Sequence, residues 1–591
     1  MEQQDIYKYI IDEEASFKTV RVPVTGSVEW NMHEHIERCT NVANGWYHSG
    51  KNDGTRPYSD LVTPILNVAA RSEGFDVKDI IPFVNDSDNY YKSFLIKKYH
   101  PQWARKYEID TFIDELVDSS IVYDLALIKN VNNIRPEVVK LQSIAFCDQT
   151  NVLGGPLALK HFYSIADLLE FKGKWNDDKI DEAITMAEAQ KVVSMANDQE
   201  AKTPGKYIEV YEVHGMFKES WLFEGGSSDD YLPQIHIVTF YTNDKGKKCG
   251  ITLFKAREKK PIFKALVLKP VFGRACGRSI VETLFEPQVW NNYSAIRIKE
   301  MLDAAALNLF YSDDDELANQ KLTNLKTNTV LKIGPSKQFG KVDTSPRDIT
   351  SFTNHQIKQE NDARTLGSAS EASLGKNPNA GTPFKLQDLI VQEGNGIHEW
   401  RQGKIATFVA DVLYRDWILG YLVREMNAGK KFSEELSLDE MQEVAEKIAE
   451  NEVNRKIKEA FIKGKITTAE ERDEMKQILK DNFMKKGTRR FFEIMQGELN
   501  DIPVEVFVNI TGKQRAMAKN ADNITKVITF AIANAEAIKT MPGIGKAVNE
   551  LFEESGMSAI DFTDITKPAP KMVQNEVNPA ANVGAAEVVN K

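Results

Sequence analysis

Apolar positions in the first two hundred residues recur mostly at helical spacing, broken by polar loops. Phe112, Ile113, Leu116 and Val117 share one face of the stretch Asp110 to Asp118, the pattern of an amphipathic helix. Strand-like runs follow from Ile121 onward. Leu125 to Ile128 and Val138 to Phe146 are β-rich, and Asn151 to Pro156 is turn chemistry. Mixed α+β structure is expected here.

From Tyr207 the period shortens to two. Four runs, Tyr207 to Val213, Ile235 to Tyr241, Gly250 to Phe254 and Phe263 to Leu268, predict a four-stranded antiparallel sheet, with Asn243 to Gly246 as a hairpin loop. Directly afterwards Gly273-Arg-Ala-Cys-Gly-Arg-Ser279 leads into a long helical pattern, Ile280 to Tyr311. Pro287 removes an i to i−4 bond and is expected to kink or restart that helix. Beyond it Ile298, Met301, Leu302, Ala305 and Leu309 fall at helical spacing, and the stretch from Gln288 to Tyr311 would make a rod of roughly 36 Å.

The rod ends in Ser312-Asp-Asp-Asp-Glu316. A short polar module follows, with one strand candidate, Thr329 to Ile333, and Gly334-Pro335 closing it. Ser345 and Pro346 start a second helix that runs to Leu366. Two helices of similar length therefore flank a compact tip. They carry too little apolar surface to be stable as an isolated hairpin, so further packing is expected from neighbouring subunits. The next segment, 367–383, is small, Gly-rich and nearly uncharged, and cannot bury enough apolar surface to offset its ordering entropy.

Leu386 to Met426 is expected to be core, with Trp400, Phe408, Val412, Trp417, Ile418 and Leu422 at helix-compatible spacings. Lys430 to Lys486 is charged and helical in pattern, including Glu434 to Met441, with Thr467 or Thr468 as a cap. A last strand, Val504 to Ile510, precedes a helical unit, Gln514 to Glu554. The tail from Thr566 to Lys591 has no periodicity and is expected to be mobile or to fold only on assembly.

Composition narrows the functional classes. The 591 residues, 42% of them hydrophobic, are ample for buried cores and would allow about four domains of ordinary size. Asp and Glu number 86 against 75 Lys and Arg, a net charge of −11, which does not suit a broad phosphate-gripping surface. Cys39, Cys147, Cys249 and Cys276 have no paired spacing, so neither a disulfide framework nor a zinc module is expected, and a reducing compartment is. No basic region followed by an apolar run opens the chain, and no uncharged apolar segment approaches the length of a membrane span.

Chemical motifs are sparse. Gly545-Lys546 is followed by Ala547, so the phosphate loop of a nucleotide-driven motor is absent. His33, His35 and Cys39 are read as a polar helix surface, because histidines at i and i+2 point to different faces. Asp313, Asp314 and Asp315 could attract a divalent cation but lack a spaced ligand loop. Neither a Gly-x-Ser-x-Gly elbow nor a His-Glu-x-x-His pair occurs, so no catalytic residue, metal or cofactor is expected. Met541-Pro-Gly-Ile-Gly-Lys546, flanked by Ile538 and Leu551, resembles the turn of a helix-hairpin-helix, where glycine amides meet a DNA phosphate. Pro-Gly between helices is also ordinary turn chemistry.

The order of parts resembles the portal proteins of tailed double-stranded DNA bacteriophages, and looks like those of the crAss-like group. The resemblance is carried by Phe272-Gly-Arg-Ala-Cys-Gly-Arg-Ser-Ile-Val281 before the long helix, the tip at 313–345, and the returning helix ending Asn361-Asp-Ala-Arg-Thr-Leu-Gly367. The small-residue loop before Leu386, the strand Val504 to Ile510 and the helices up to Phe562 also fit. It spans roughly residues 110 to 565 and is one of architecture.

It implies an α+β, predominantly helical portal fold: a wing at 1–278, a first stem helix at 279–312, a clip at 313–345 and a second stem helix at 346–367. A tunnel loop at 368–385, the rest of the wing at 386–513, crown helices at 514–563 and a flexible tail at 564–591 complete it. Ser368, Ser370, Ser373, Lys376, Asn377 and Asn379 would belong to the DNA-facing loop. Asp313, Asp314, Asp315, Lys332 and Lys337 would meet the neck. The implied assembly is a homo-oligomer, a dodecamer at one capsid vertex of the virion, put together in the host cytoplasm. Its implied partners are double-stranded viral DNA held non-specifically, the major capsid protein, the large terminase, and then neck and tail adaptor proteins, with no membrane. An acidic chain suits a channel through which DNA slides without sticking. The competing expectations are a DNA-processing enzyme gripping through the 538–551 turn, and another structural or scaffolding protein of a virion.

Overall fold

A computed structural model describes residues 5–47, 56–84, 90–131, 135–196, 207–223, 225–227, 229–242, 248–306, 310–313, 336–341, 349–369, 396–429 and 431–435. Shorter stretches are described between 445 and 508: 445–446, 449–450, 453–454, 456–457, 462, 468–484, 489–493 and 504–508. The helical unit from Gln514, the 541–546 turn, the Thr329 to Ile333 strand candidate and the tail lie outside the described residues.

The chain opens with helix α1 (Ile6–Thr19), whose first turn is capped by the Asp5 carboxylate accepting Lys8 N–H at 2.8 Å. A hairpin of β1 (Val22–Thr25) and β2 (Val28–Trp30) leads to α2 (Met32–Ala43). Asn31 caps α2 and, through its amide nitrogen, donates to Phe17 O and Val20 O, so one buried side chain joins both helices. Next come α3 (Val62–Glu73), β3 (Ile80–Val84), α4 (Tyr90–Lys106) and α5 (Ile109–Tyr123). The helix expected at 110–118 is therefore longer at both ends. It is bounded by Glu108 and Asp124, both left-handed at φ 52° and 51°.

Strands β4 (Ala126–Val131), β5 (Arg135–Val139), β6 (Ile144–Phe146) and β7 (Leu157–Ser164) follow, then α6 (Ile165–Glu170) and α7 (Asp177–Ala196). Three of the four runs after Tyr207 are consecutive antiparallel neighbours. They are β8 (Tyr207–Lys218), β9 (Tyr231–Thr242) and β10 (Lys248–Arg257), with the one-turn helix α8 (Glu219–Leu222) after β8. The fourth, β11 (Phe263–Leu266), does not join them: the sheet order is β10-β9-β8-β7-β6, and β11 lies in a separate sheet of order β11-β4-β5. The reason is burial on β4. Leu127 and Ile128 are both buried, so β4 is covered on both faces and takes a partner on each edge.

That small sheet divides two hydrophobic cores. Ala126, Ile128, Leu266 and Leu268 point into one, packed by α4 and α5; Leu125, Leu127 and Val139 point into the other, with α1, α2 and the inner strands. Such alternation is the period of two acting across a partition. A third, smaller cluster lies under α7, around Ile180, Val210 and Leu253.

Helix α9 (Ile280–Ala306) runs unbroken through Pro287, so the expected restart does not occur, and it stops short of Tyr311. Phe310, Tyr311 and Ser312 instead form β12 (Phe310–Ser312), antiparallel to β13 (Phe339–Lys341). Helix α10 (Ile349–Leu366) returns.

The chain then re-enters the first core. Helix α11 (Gly396–Phe408), a π-helical stretch (Val409–Ile418) and α12 (Leu419–Asn427) supply Ile405, Leu413, Tyr414, Trp417, Ile418 and Leu422 to it. Trp400, expected in the core, is 46% exposed, because His398, Arg401 and Gln402 occupy the inward face of α11. Lys431 to Glu435, expected to begin a charged helix, is β14 (Lys431–Glu435), and pairs with β15 (Arg489–Glu493). Between them lies α13 (Ala469–Met484). Thr468 is its cap: its hydroxyl accepts Glu471 N–H while the Glu471 carboxylate accepts Thr468 N–H. Finally β16 (Val504–Val508) pairs antiparallel with β3, Val504 opposite Val84.

Candidate functional site

Strand β11 and helix α11, on either side of the α9–α10 hairpin in the chain, pack into the same core, and the segment that leads into α9 is tightly built. Ser279 caps α9, its hydroxyl accepting Glu282 N–H at 2.9 Å. Arg274 holds Glu282 through two bonds of 2.8 and 2.7 Å, donates to Gly277 O, and lies over the Trp30 ring. Ala275 N–H reaches Gln149 O and Arg278 N–H reaches Lys269 O. Gly277 admits no side chain, since a Cβ would fall 1.8 Å from Asp124 Oδ2. The Gly-Arg-Ala-Cys-Gly-Arg-Ser segment is thus a clasp that aims α9.

Along α9 the buried face changes character. Val281, Leu284 and Pro287 are apolar, whereas Gln288, Asn291, Asn292 and Ser294 are buried and polar. These side chains hold the segment before α3. Gln288 accepts Leu61 N–H at 2.8 Å and donates to Ser59 O at 2.7 Å; Asn291 also donates to Ser59 O, and Asn292 accepts Ser59 N–H. Farther out Ser294 meets His355 of α10 at 3.0 Å, so the two helices are antiparallel neighbours. From Ala295 to Ala306 no residue of α9 is buried, and in α10 only Ala363 is. Val289, Trp290, Tyr293, Leu302, Ile357 and Leu366 are all exposed by 44% or more. The hairpin has almost no core of its own.

Its two ends are closed by short contacts. At the tip, Asp313 N–H donates to Gln338 O and Lys337 Nζ donates to Asp313 O at 2.6 Å, so these two predicted clip residues meet; Asp314, Asp315 and Lys332 lie outside the described residues. At the base, Gly367 ends α10 against α3, where a Cβ would come 2.4 Å from Ile65 Cγ2. Ser368, expected in the DNA-facing loop, is left-handed at φ 53° and finishes the helix, and Ala369 after it is buried. Ser370, Ser373, Lys376, Asn377 and Asn379 lie outside the described residues.

Beside the root of the hairpin is a pocket of about 350 Å³ between α2, the side chains of Trp46, Tyr47 and Tyr58, and α9. Trp46, Tyr47, Tyr58, Phe285, Val289 and Tyr293 line it, and the Arg38 guanidinium at its wall sits 5.3 Å from the centre of the Phe285 ring. The aromatic spacing at 46, 47 and 58 is a signal that sequence reasoning passed over. Phe272, at the head of the motif that leads into the long helix, is 95% exposed on the loop ahead of the clasp.

Two buried charge clusters brace the body. On β8, burial alone would raise the Glu212 carboxyl. Hydrogen bonds from His161 and His214 and the Lys129 ammonium outweigh this and hold it well below the ordinary range. Around α5, Asp124 is pushed up to about 6 by burial, against the opposing pull of Lys269 N–H and Arg401. His35, read from sequence as part of a polar surface, is buried with Cys39, and burial lowers it to about 4. The helix packs that face against Trp30 and the second core, which a count of polar residues does not reveal. Among the described residues no group of three or more His, Cys, Asp or Glu is placed to hold a metal ion, and no helix is long and apolar enough to cross a membrane.

No protein-family model and no curated protein matches the chain. Among solved structures it is similar to a chain of the neck of an empty gene transfer agent particle computed with C6 symmetry. The two are 9% identical, with 63% of this chain and 76% of that one covered and a TM-score of 0.27. It is likewise similar to a chain of the virion of a native gene transfer agent particle, at 9% identity, with 70% and 86% covered and a TM-score of 0.30. Superpositions of this size define neither the family nor the role of this chain.

Proposed function

We propose that this chain is a ring-forming structural subunit at the head–tail junction of a virion, a portal of the kind found in tailed bacteriophages and similar to those of the crAss-like group. The observation that carries the reading is the α9–α10 hairpin. It is inserted between two halves of one core, pinned at its root by polar side chains, and leaves large apolar residues exposed along its length. A pair of helices without a core of its own is completed by equivalent helices of neighbouring copies, which in a ring would line an axial channel. The acidic balance of the chain suits passage of double-stranded DNA, because broad phosphate neutralisation would hold it in place. In this reading the 313–345 tip receives terminase and later the neck proteins, and the body meets the capsid. The role is structural, with no catalysis by the chain.

Electron-microscope class averages of the purified protein, alone and with capsid protein, test it. A ring with an axial hole is expected, and a monomer at every concentration overturns the proposal. Within the ring, replacing residues 370–380 is expected to impair DNA packaging or retention and leave assembly intact. Unchanged packaging removes the tunnel-loop role.

A further inference from the structure

Four segments distant in the chain meet in one buried cluster of charge at the root of α9. Glu73 closes α3, Asp124 caps α5, His398 and Arg401 lie on the inward face of α11, and 269–279 leads into α9. All four side chains are buried. Arg401 reaches Glu73 with Nε, Asp124 Oδ1 with Nη1 at 3.2 Å and Ser120 O with Nη2. Asp124 Oδ2 accepts Lys269 N–H at 2.7 Å, so one carboxylate holds α11 with one oxygen and the approach to α9 with the other. Gly277 closes the Oδ2 side with backbone, since a Cβ there would fall 1.8 Å from that oxygen.

Two carboxylates face one guanidinium, and a buried net charge is costly, so the cluster has a place for one more proton. His398 Nδ1 already meets Glu73 Oε1 at 2.9 Å, and its Nε2 is buried with no hydrogen-bond partner among the described residues, so a proton there would have no acceptor. Glu73 has two contacts from Arg401 Nε and one from His398, whereas Asp124 has one of 3.2 Å from Arg401 and one from a main-chain N–H. Asp124 is the less compensated carboxylate and the place for the proton. Burial does push it up, from the ordinary 3.8 to about 6, with Lys269 N–H and Arg401 opposing the rise and Glu73 adding to it. The side chains of Lys269 and Arg278, the other charged residues of the segment nearby, are exposed, and the two residues are tied in through main-chain groups.

We propose that this cluster is a proton-operated latch on the root of α9. With Asp124 protonated, the 269–279 segment stays closed against α5 and α11. Once Asp124 gives its proton to water, opening of the segment costs less, because only the open state hydrates the carboxylate. A carboxyl held above its ordinary value in the closed state adds stability that is complete below the ordinary value and lost as pH rises through the raised one. The closed state is therefore tightest below 3.8 and loosest above about 6. Because α9 is the first helix of the hairpin, the latch sets how firmly the hairpin is seated, whether or not copies of the chain form a ring.

Cys276 reports the opening. It is buried within the latched segment, and its thiol is free. The full chain is labelled with a small thiol reagent over a series of pH values, and modification is read site by site by mass spectrometry. Each rate is divided by that of an unstructured cysteine peptide at the same pH, with Cys249 on β10 as the reference thiol. The corrected Cys276 rate is expected to rise about tenfold between about pH 5 and about pH 8, while Cys249 stays level. In Asp124→Asn, which cannot take up the proton, the rise is expected to vanish, and in His398→Gln to persist. A level Cys276 profile in the parent chain overturns the latch, and that profile alone decides if Asp124→Asn does not fold. Cys249 rising in step shows a loss of structure throughout and overturns it as well. A rise kept in Asp124→Asn and lost in His398→Gln moves the proton to His398 and overturns the assignment to Asp124.

Discussion

Arg401 and Glu73 meet across 328 residues of chain, Nε lying 2.9 Å from Oε1 and 3.0 Å from Oε2, with both side chains buried. Glu73 ends α3, before the hairpin; Arg401 lies on α11, after it. The same guanidinium donates to Asp124 Oδ1 and to Ser120 O, and His398 adds a 2.9 Å contact to Glu73. The two halves of the body on either side of the insertion are thereby locked to each other.

Removing that lock leaves two carboxylates facing an apolar core. Arg401→Met is expected to cost about 3–5 kcal/mol, seen as a lower denaturant midpoint, and Arg401→Lys to recover little, since lysine cannot reproduce the forked contacts. A change under about 1 kcal/mol would show that the cluster contributes no net stability.

The Glu212 cluster predicts a pH window. Burial would lower the His214 imidazole, but its bonds to Glu212 and Glu258 raise it above 6.5. Its contribution is therefore complete below 6.5 and lost as pH rises through the raised value. Glu212 runs the other way: its folded value is depressed below 4.5, so its contribution is present above 4.5 and lost as pH falls. The stability gap between the native chain and His214→Gln should be widest between these two limits and narrow toward alkaline pH. A gap that widens on the alkaline side would contradict the assignment.

Two glycine substitutions should act in opposite directions. Gly277→Ala drives a methyl into Asp124 Oδ2 and Lys269 O and is expected to destabilise by about 1–3 kcal/mol. Gly403→Ala, inside α11 with open space around it, is expected to stabilise by about 0.5–1 kcal/mol. Thermal unfolding of both against the parent chain checks the pair.

Gln288→Ala strips the acceptor from Leu61 N–H and the donor from Ser59 O. The expected loss is about 1–3 kcal/mol, with faster amide exchange and easier proteolysis at 56–61 and no change in α9 itself. Equal protection of Leu61 in both chains would refute this account of how the hairpin root is held.

Much of the local structure could be read along the chain. The apolar face of α5, the two hairpin helices, the Thr468 cap and the strand at Val504 depend on residues a few positions apart, and their periods and caps are written locally. Candidate chemistry was less legible. Asp313 and Lys337 belong to one implied neck contact, but only their placement at the ends of β12 and β13 shows that the two touch each other.

What the sequence by itself determined is therefore the identity of the elements whose period is sustained, such as α5, the strands after Tyr207, and a long helix that leaves and another that returns, together with the acidic balance of the chain; Tyr311 and Lys431 to Glu435, helical in pattern, are strand. Partners were decided by the tertiary structure alone. That β11 leaves its neighbours for β4, that β16 closes on β3, that Pro287 rides inside a continuous helix pinned by Gln288, and that Phe272 stays in water while a pocket lies open all depend on groups far apart in the chain. A period reports which face is apolar. It carries no record of what that face will meet, because the choice is made by burial and hydrogen-bond satisfaction summed over segments that come together only when the chain folds.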